Sequence, residues 1–272
     1  MIPAPFTNKR AWSLDEALEL AGQGGDDAKF LAGGHSLLPL MKLRLAVPTT
    51  LVDIGRLGEL SFIRDEGGHI AIGALTSHHD LAGSGLLARE LPLLAHAAGL
   101  VGDPQVRHRG TIGGSLAHGD PAGDLPAVVL ALDATLIARG PAGRREVGAG
   151  EFFRGMFETA LAPGELLTEI RIPKPRDTAW SFQKFTKRAI DWAIVGVAVQ
   201  GGNVALVNMG PAPLRAAAVE RALAGGAAPA EAAAHAAEGT SPVEDVNADR
   251  GYRQHLARVL VARALAESRS RT

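Results

Sequence analysis

The sequence contains no cysteine. Disulfides, thiolate metal sites, cysteine nucleophiles and iron–sulfur ligation are therefore excluded from this chain, and any such centre has to sit on another one. Aromatic residues make up only 4%, with Tyr252 the single tyrosine, so no base-stacking surface is expected. An excess of one charge is missing as well. The 28 Lys+Arg face 29 Asp+Glu for a formal charge of −1, without the basic footprint of a nucleic-acid binder. No apolar run reaches the roughly 18 residues of a membrane span, and the opening Met1-Ile2-Pro3-Ala4-Pro5-Phe6 lacks the regions of a secretion signal. These absences predict a cytoplasmic protein with no nucleic-acid partner and no membrane span.

What is present is enough aliphatic residue for a real core: 46% hydrophobic over 272 residues, suiting one large domain or two ordinary ones. Ser13 with Glu16 forms a capping-box pattern ahead of a helix with Leu14, Ala17, Leu18 and Ala21 on one face, ended by Gly24-Gly25. Lys29 to Ala32 and Leu51 to Ile54 read as strands around an apolar segment from Leu37 to Leu45, in a small unit that is βαβ-like or α+β. Beyond it, strands are expected over Ile70–Gly73, Ala134–Ala138 and Leu166–Ile172. Helices are expected from Thr76 or Ser77 through Leu81, over Leu93–Leu100 and over Asp124–Leu132. Such interleaving predicts α+β layering. Pro173-Lys174-Pro175-Arg176-Asp177 marks a boundary, because paired prolines interrupt a strand ladder. After it, Ser181–Phe185, Ala193–Gln200 and Val204–Asn208 predict three antiparallel strands with a hairpin at Gly201-Gly202, then helices over 215–223, 229–237 and 252–266.

Two glycine motifs carry the chemistry: Ala32-Gly33-Gly34-His35-Ser36 and Thr111-Ile112-Gly113-Gly114-Ser115. Read as turns, they offer two sets of bare backbone N–H groups that can converge on one anionic ligand, such as a diphosphate. Either alone is weak, since Gly-Gly pairs are common in tight loops. Neither GxxxxGK(S/T) nor GxGxxG is present, which disfavours a P-loop nucleotidase and a Rossmann dinucleotide domain. Asp120 and Asp124 follow the second motif, where a carboxylate suits sugar hydroxyls. Asp124 also suits the cap of the next helix. His78-His79 gives no metal site, because adjacent side chains on a helix diverge. Arg107-His108-Arg109 reads as a solvated or interfacial charge run.

The strings Leu31-Ala32-Gly33-Gly34-His35-Ser36-Leu37-Leu38-Pro39 and Gly110-Thr111-Ile112-Gly113-Gly114-Ser115, with Asp120-Pro121 and Asp124, resemble the FAD-binding medium subunits of molybdenum hydroxylases, the xanthine oxidase family. Within it, the likeness is strongest to the carbon monoxide dehydrogenase type. Leu51-Val52-Asp53, Ile72-Gly73-Ala74, Asp103-Pro104-Gln105-Val106-Arg107, Pro163-Gly164-Glu165-Leu166-Leu167 and Arg171-Ile172-Pro173 extend it along nearly the whole chain. Ser115 stands where many members have asparagine, Trp192 where a tyrosine is expected, and the hairpin at Gly201-Gly202 is shorter than usual.

The resemblance implies a two-subdomain FAD-binding fold of the vanillyl-alcohol-oxidase (PCMH) type, over 1–55 and 56–175, and a C-terminal domain over 178–272. It implies that Ala32, Gly33, Gly34, His35 and Ser36, with Thr111, Ile112, Gly113, Gly114 and Ser115, hold the FAD pyrophosphate through main-chain N–H groups. Asp124 would contact ribose or ribityl hydroxyls, with Asp120 beside it, and the Leu167 backbone would meet the adenine. Lys184 and Trp192 would lie near the flavin ring, where charge and polar contacts tune its potential. The resemblance also implies an oxidoreductase subunit with no catalytic or metal residue of its own, inactive toward substrate alone. Its partners would be a molybdopterin-binding large subunit and a small subunit with 2Fe-2S clusters, in a dimer of heterotrimers that passes electrons to quinone or oxygen. Two alternatives stand beside it: a stand-alone flavin oxidoreductase, and a non-redox assembly subunit that kept the fold.

Overall fold

The computed structural model describes residues 2–271, arranged around three main β-sheets. Near the N-terminus, Thr50–Asp53 lies between Thr7–Arg10 and Ala28–Leu31, and both pairings are parallel. The parallel register settles the first unit as βαβ-like. The helix Leu14–Gly24 buries Leu14, Ala17 and Ala21 against the cluster that holds Val52 and Ile54. Its start follows the capping pattern: Ser13 Oγ accepts from the Glu16 N–H at 3.2 Å, and Glu16 Oε2 accepts from the Trp12 N–H at 2.7 Å.

The second sheet is antiparallel, in the order Ile63–Asp65, His69–Gly73, Leu166–Pro173, Thr135–Gly140, Gly143–Gly148. Pro92–Gly99 and Asp124–Ala131, almost wholly apolar helices, fill the main core beside it. The third sheet runs Trp180–Phe185, Val195–Gln200, Asn203–Val207, Leu214–Arg215. It packs between the Asp124–Ala131 helix and the long helix Arg250–Ser270. That placement explains why Val195–Gln200 is buried at every position: Val195, Val197 and Val199 join the C-terminal core, while Ala198 faces the main one.

Several elements differ from expectation. The three expected C-terminal strands are joined by a fourth at the edge, Leu214–Arg215, too short to carry a periodic pattern. Pro104–Arg109 is a helix, capped by Asp103 Oδ1 accepting from the Val106 N–H at 2.9 Å. The second glycine motif is not a turn. Thr111 is an N-cap and Ile112–His118 a helix, so Gly113 and Gly114 lie in its first turn. Among the described residues, no helix is long and apolar enough to cross a membrane.

Gly113 is there because backbone comes too close for any side chain. A β-carbon on it would sit 2.5 Å from Ala74 Cβ and 2.6 Å from the Ala74 carbonyl oxygen. Gly113→Ala in the cofactor-free chain should therefore lower unfolding free energy by about 2 kcal/mol through overpacking, read as a lower urea midpoint. An unchanged midpoint would contradict this close approach.

Candidate functional site

Both glycine motifs line one cavity of about 450 Å³, within the usual size of cofactor clefts. The first motif leaves the Ala28–Leu31 strand and turns at Gly34, whose φ of +79° lies in the left-handed region glycine tolerates. A β-carbon on Gly33 would come within 2.0 Å of the Arg109 carbonyl oxygen. The first loop is thereby pressed onto the residue that leads into the second motif. Among the described residues, no acceptor pairs with the N–H groups of Gly33, Gly34, His35 or Ser36.

The second motif behaves differently. The Ile112 N–H donates to Thr76 O at 3.0 Å, Gly113 to Ala74 O at 2.8 Å, Gly114 to Thr111 Oγ1 at 3.1 Å and Ser115 to Thr111 O at 3.0 Å. Of the two sets of amides expected to be bare, the first is, while in the second only the Thr111 N–H has no acceptor among the described residues. Thr111 and Ser115 line the cavity together with Gly113 and Gly114, and both hydroxyl hydrogens are free to donate.

Beyond the motifs lies a buried ion pair. Lys184 Nζ approaches Asp124 Oδ2 at 2.7 Å, with the two side chains 8% and 5% exposed, and also donates to Leu100 O at 3.2 Å. It links the third sheet to the first turn of the Asp124–Ala131 helix, whose N-cap is Gly123; the capping role open to Asp124 is not used. Asp124 Oδ1 is buried with no hydrogen-bond partner. Asp120 turns its own loop, its Oδ1 accepting from the Ala122 N–H at 2.8 Å. Leu167, also in the lining, sits beside a bulge at Thr168 that shifts the ladder against Thr135–Gly140, a device that re-aims neighbouring side chains. Ile190, Asp191 and Trp192 line the cavity too, Trp192 being 62% exposed.

Of the expected site residues, Ala32, Gly33, Gly34, His35, Ser36, Thr111, Gly113, Gly114, Ser115, Asp120, Asp124, Leu167, Lys184 and Trp192 all line this cavity. Ile112 does not: its side chain is in the core, fully buried, because it faces inward from the helix. Sequence reasoning missed His78, which lines the cavity with Nδ1 buried and unpartnered, while His79 stacks on His108 instead. The divergence of adjacent histidines on a helix was the available signal. Among the described residues no cluster suits a metal. The row of free amides, the hydroxyls beside it and the orphaned carboxylate oxygen fit a ligand with a diphosphate and sugar hydroxyls, which FAD is.

Residues 4–175 match the family described as the FAD binding domain in molybdopterin dehydrogenase, and residues 180–268 match the CO dehydrogenase flavoprotein C-terminal domain. The chain is 45% identical to the carbon monoxide dehydrogenase medium chain of Hydrogenophaga pseudoflava, over 97% of both. It is 40% identical to the 6-hydroxypseudooxynicotine dehydrogenase complex subunit alpha of Paenarthrobacter nicotinovorans, over 98% of this chain and 96% of that one. Its fold superimposes with a TM-score of 0.96 on a chain of the H. pseudoflava carbon monoxide dehydrogenase that lacks the Mo-pyranopterin moiety of the molybdenum cofactor, covering 100% of this chain and 99% of the other.

Burial pushes the Asp124 carboxyl from 3.8 up to about 6, and the Lys184 ammonium only partly offsets it. The folded chain then keeps a proton that the unfolded chain has lost, so this group's contribution to stability declines as pH rises from about 4 to about 6. His78 acts in the opposite sense. Burial, with His35 and Arg107 nearby, lowers it from 6.5 to about 4, and its contribution is lost as pH falls through that range. The two overlap, so the informative quantity is a difference. The unfolding free energy of the wild type minus that of Asp124→Asn should fall by up to about 3 kcal/mol between about pH 4 and about pH 6 in urea titrations. A pH-independent difference would contradict the raised Asp124.

Proposed function

The chain belongs to the family of FAD-binding subunits of molybdopterin dehydrogenases, and from that premise we propose that it is the electron-transfer subunit of a cytoplasmic, heterotrimeric, carbon monoxide dehydrogenase-like molybdenum hydroxylase. The chemistry FAD supplies when bound is electron transfer from a partner's 2Fe-2S clusters to an external acceptor such as a quinone or oxygen. A molybdopterin-binding large subunit completes the assembly, as a dimer of heterotrimers. Relatives at 45% and 40% identity are named for different substrates, as expected if substrate chemistry belongs to that large subunit.

One observation carries this reading: the unpaired N–H groups of Gly33, Gly34, His35 and Ser36 line the same cavity as Thr111, Ser115 and Asp124. These amides would take the pyrophosphate oxygens. Thr111 Oγ1 accepts from Gly114, which leaves its hydrogen to donate to a phosphate oxygen, and the Ser115 hydroxyl adds a second donor. Asp124 Oδ1 would accept from a ribose or ribityl hydroxyl, with Asp120 shaping the loop beside it. The Leu167 backbone would border the adenine. Lys184 places its charge, and Trp192 its ring, at the flavin end. Ile112 contributes by anchoring the helix in the core, and Gly113 by letting it approach Ala74.

Retained glycines do not by themselves separate this reading from an assembly subunit that has lost its cofactor, because Gly33 and Gly113 are required by neighbouring backbone. The orphaned Asp124 Oδ1 supports this reading, since buried polar atoms are normally paired, and the free amides nearby add donors for a phosphate.

Purified chain incubated with FAD and desalted should retain flavin absorbance. A folded chain without it would contradict the proposal. Gly114→Val, whose β-carbon would lie 2.8 Å from Thr111 Oγ1, should lose the flavin while the third sheet stays folded by circular dichroism. Wild-type retention in that variant would remove Thr111 from the site.

A further inference from the structure

We propose that Asn208 is a positioning residue: its side-chain amide and its backbone N–H together lock the loop that carries Trp192 onto the Asp120–Asp124 wall of the cavity. The proposal rests on reading that cavity as the FAD site, because the aromatic it fixes stands at the flavin end.

The loop between Phe185 and Ile194 has little of its own to hold it. Ile194 N–H donates to Phe185 O at 2.8 Å to close it, and Asp191 N–H donates to Arg188 O at 3.0 Å within it. Lys187, Arg188, Ala189, Ile190 and Trp192 are exposed. A segment with so few contacts belongs to the low-stability end of a fold, yet three of its residues line the cavity.

The order comes from outside the loop. Asn208 Nδ2 donates to Ala193 O at 2.8 Å and lies 3.4 Å from Ile194 O, while the Asn208 N–H donates to Pro121 O at 2.8 Å. Pro121 stands between Asp120 and Asp124, so a single residue ties the two walls together. Asn208 has φ of +61°, a conformation asparagine tolerates and glycine adopts more readily. Conformation alone would be served by glycine; the carboxamide is what the position adds.

Arg253 reinforces the same anchor. It is 2% exposed, donates from one guanidinium nitrogen to Ile194 O at 2.5 Å and pairs through another with Asp245 Oδ2 at 2.8 Å, leaving Nε without a partner. Burying a guanidinium is costly, and here one of its bonds goes to the carbonyl next to the one Asn208 holds. The height of Trp192 over the cavity is therefore set by the third sheet and the C-terminal helix.

The test uses the full chain with Trp12→Phe and Trp180→Phe, leaving Trp192 as the single tryptophan, excited at the red edge where Tyr252 does not absorb. Asn208→Gly suits the backbone and removes the amide; Asn208→Asp keeps the shape and sets an acceptor against the Ala193 carbonyl. In the unloaded chain both should lower the fluorescence anisotropy of Trp192. With FAD bound, both should retain the flavin but lose most of its quenching of Trp192, and shift the flavin midpoint potential. Parent-like anisotropy and quenching in both variants would overturn the proposal, and so would a lowered unfolding midpoint as the only change. If the parent binds no FAD, the functional reading falls while the unloaded-chain anisotropy still decides whether Asn208 holds the loop.

Discussion

The contact on which the site depends is the approach of Gly33 to the Arg109 carbonyl, a distance no β-carbon fits. It presses the end of one parallel strand onto the residues that enter the Ile112–His118 helix, bringing together segments far apart in sequence. Once that approach is fixed, the following residues have to reverse at Gly34, and their N–H groups are left with no protein acceptor. Amides held open in this way, on half-buried to exposed residues, are available to an anion such as a phosphate.

The second motif has the complementary task. Its amides pair with Thr76, Ala74 and Thr111, so the helix start is rigid before any ligand arrives, and it presents hydroxyls instead. The C-terminal sheet then completes the cleft by supplying Lys184 to Asp124 and the Trp192 loop to the lining. Because that sheet is sandwiched between the Asp124–Ala131 and Arg250–Ser270 helices, core packing sets the strand that carries Lys184, while the Trp192 loop ends on carbonyls held by Asn208 and Arg253. Burial raises the Asp124 pKa, and the pair with Lys184 offsets only part of the cost of placing a carboxyl there.

Much of this was legible in the sequence, for physical reasons. Strands such as Leu51–Ile54, Ile70–Gly73 and Val204–Asn208 carry enough aliphatic pattern to be read directly, and the Ser13–Glu16 cap announces its helix. Thr7–Arg10 was not legible, because its residues are mostly exposed and polar and it is a strand only through pairing with Thr50–Asp53. Gly143–Gly148 failed likewise, as a charged edge strand. The Gly113-Gly114 pair reads as a breaker from propensity, yet it lies in a helix capped by Thr111, and contact with Ala74 requires glycine at 113. The lining residues of the cavity came from motif resemblance, whereas the pairing state of their amides and the bridge through Asn208 depend on contacts between distant segments.

The central claim is that the Gly33–Ser36 amides, assisted by the Thr111 and Ser115 hydroxyls, grip a pyrophosphate. Calorimetric titration of the FAD-free chain with ADP and with adenosine tests it directly. With at least two charge-assisted hydrogen bonds at stake, ADP should bind at least about 100-fold more tightly than adenosine and displace FAD. Equal affinities for the two would contradict the account.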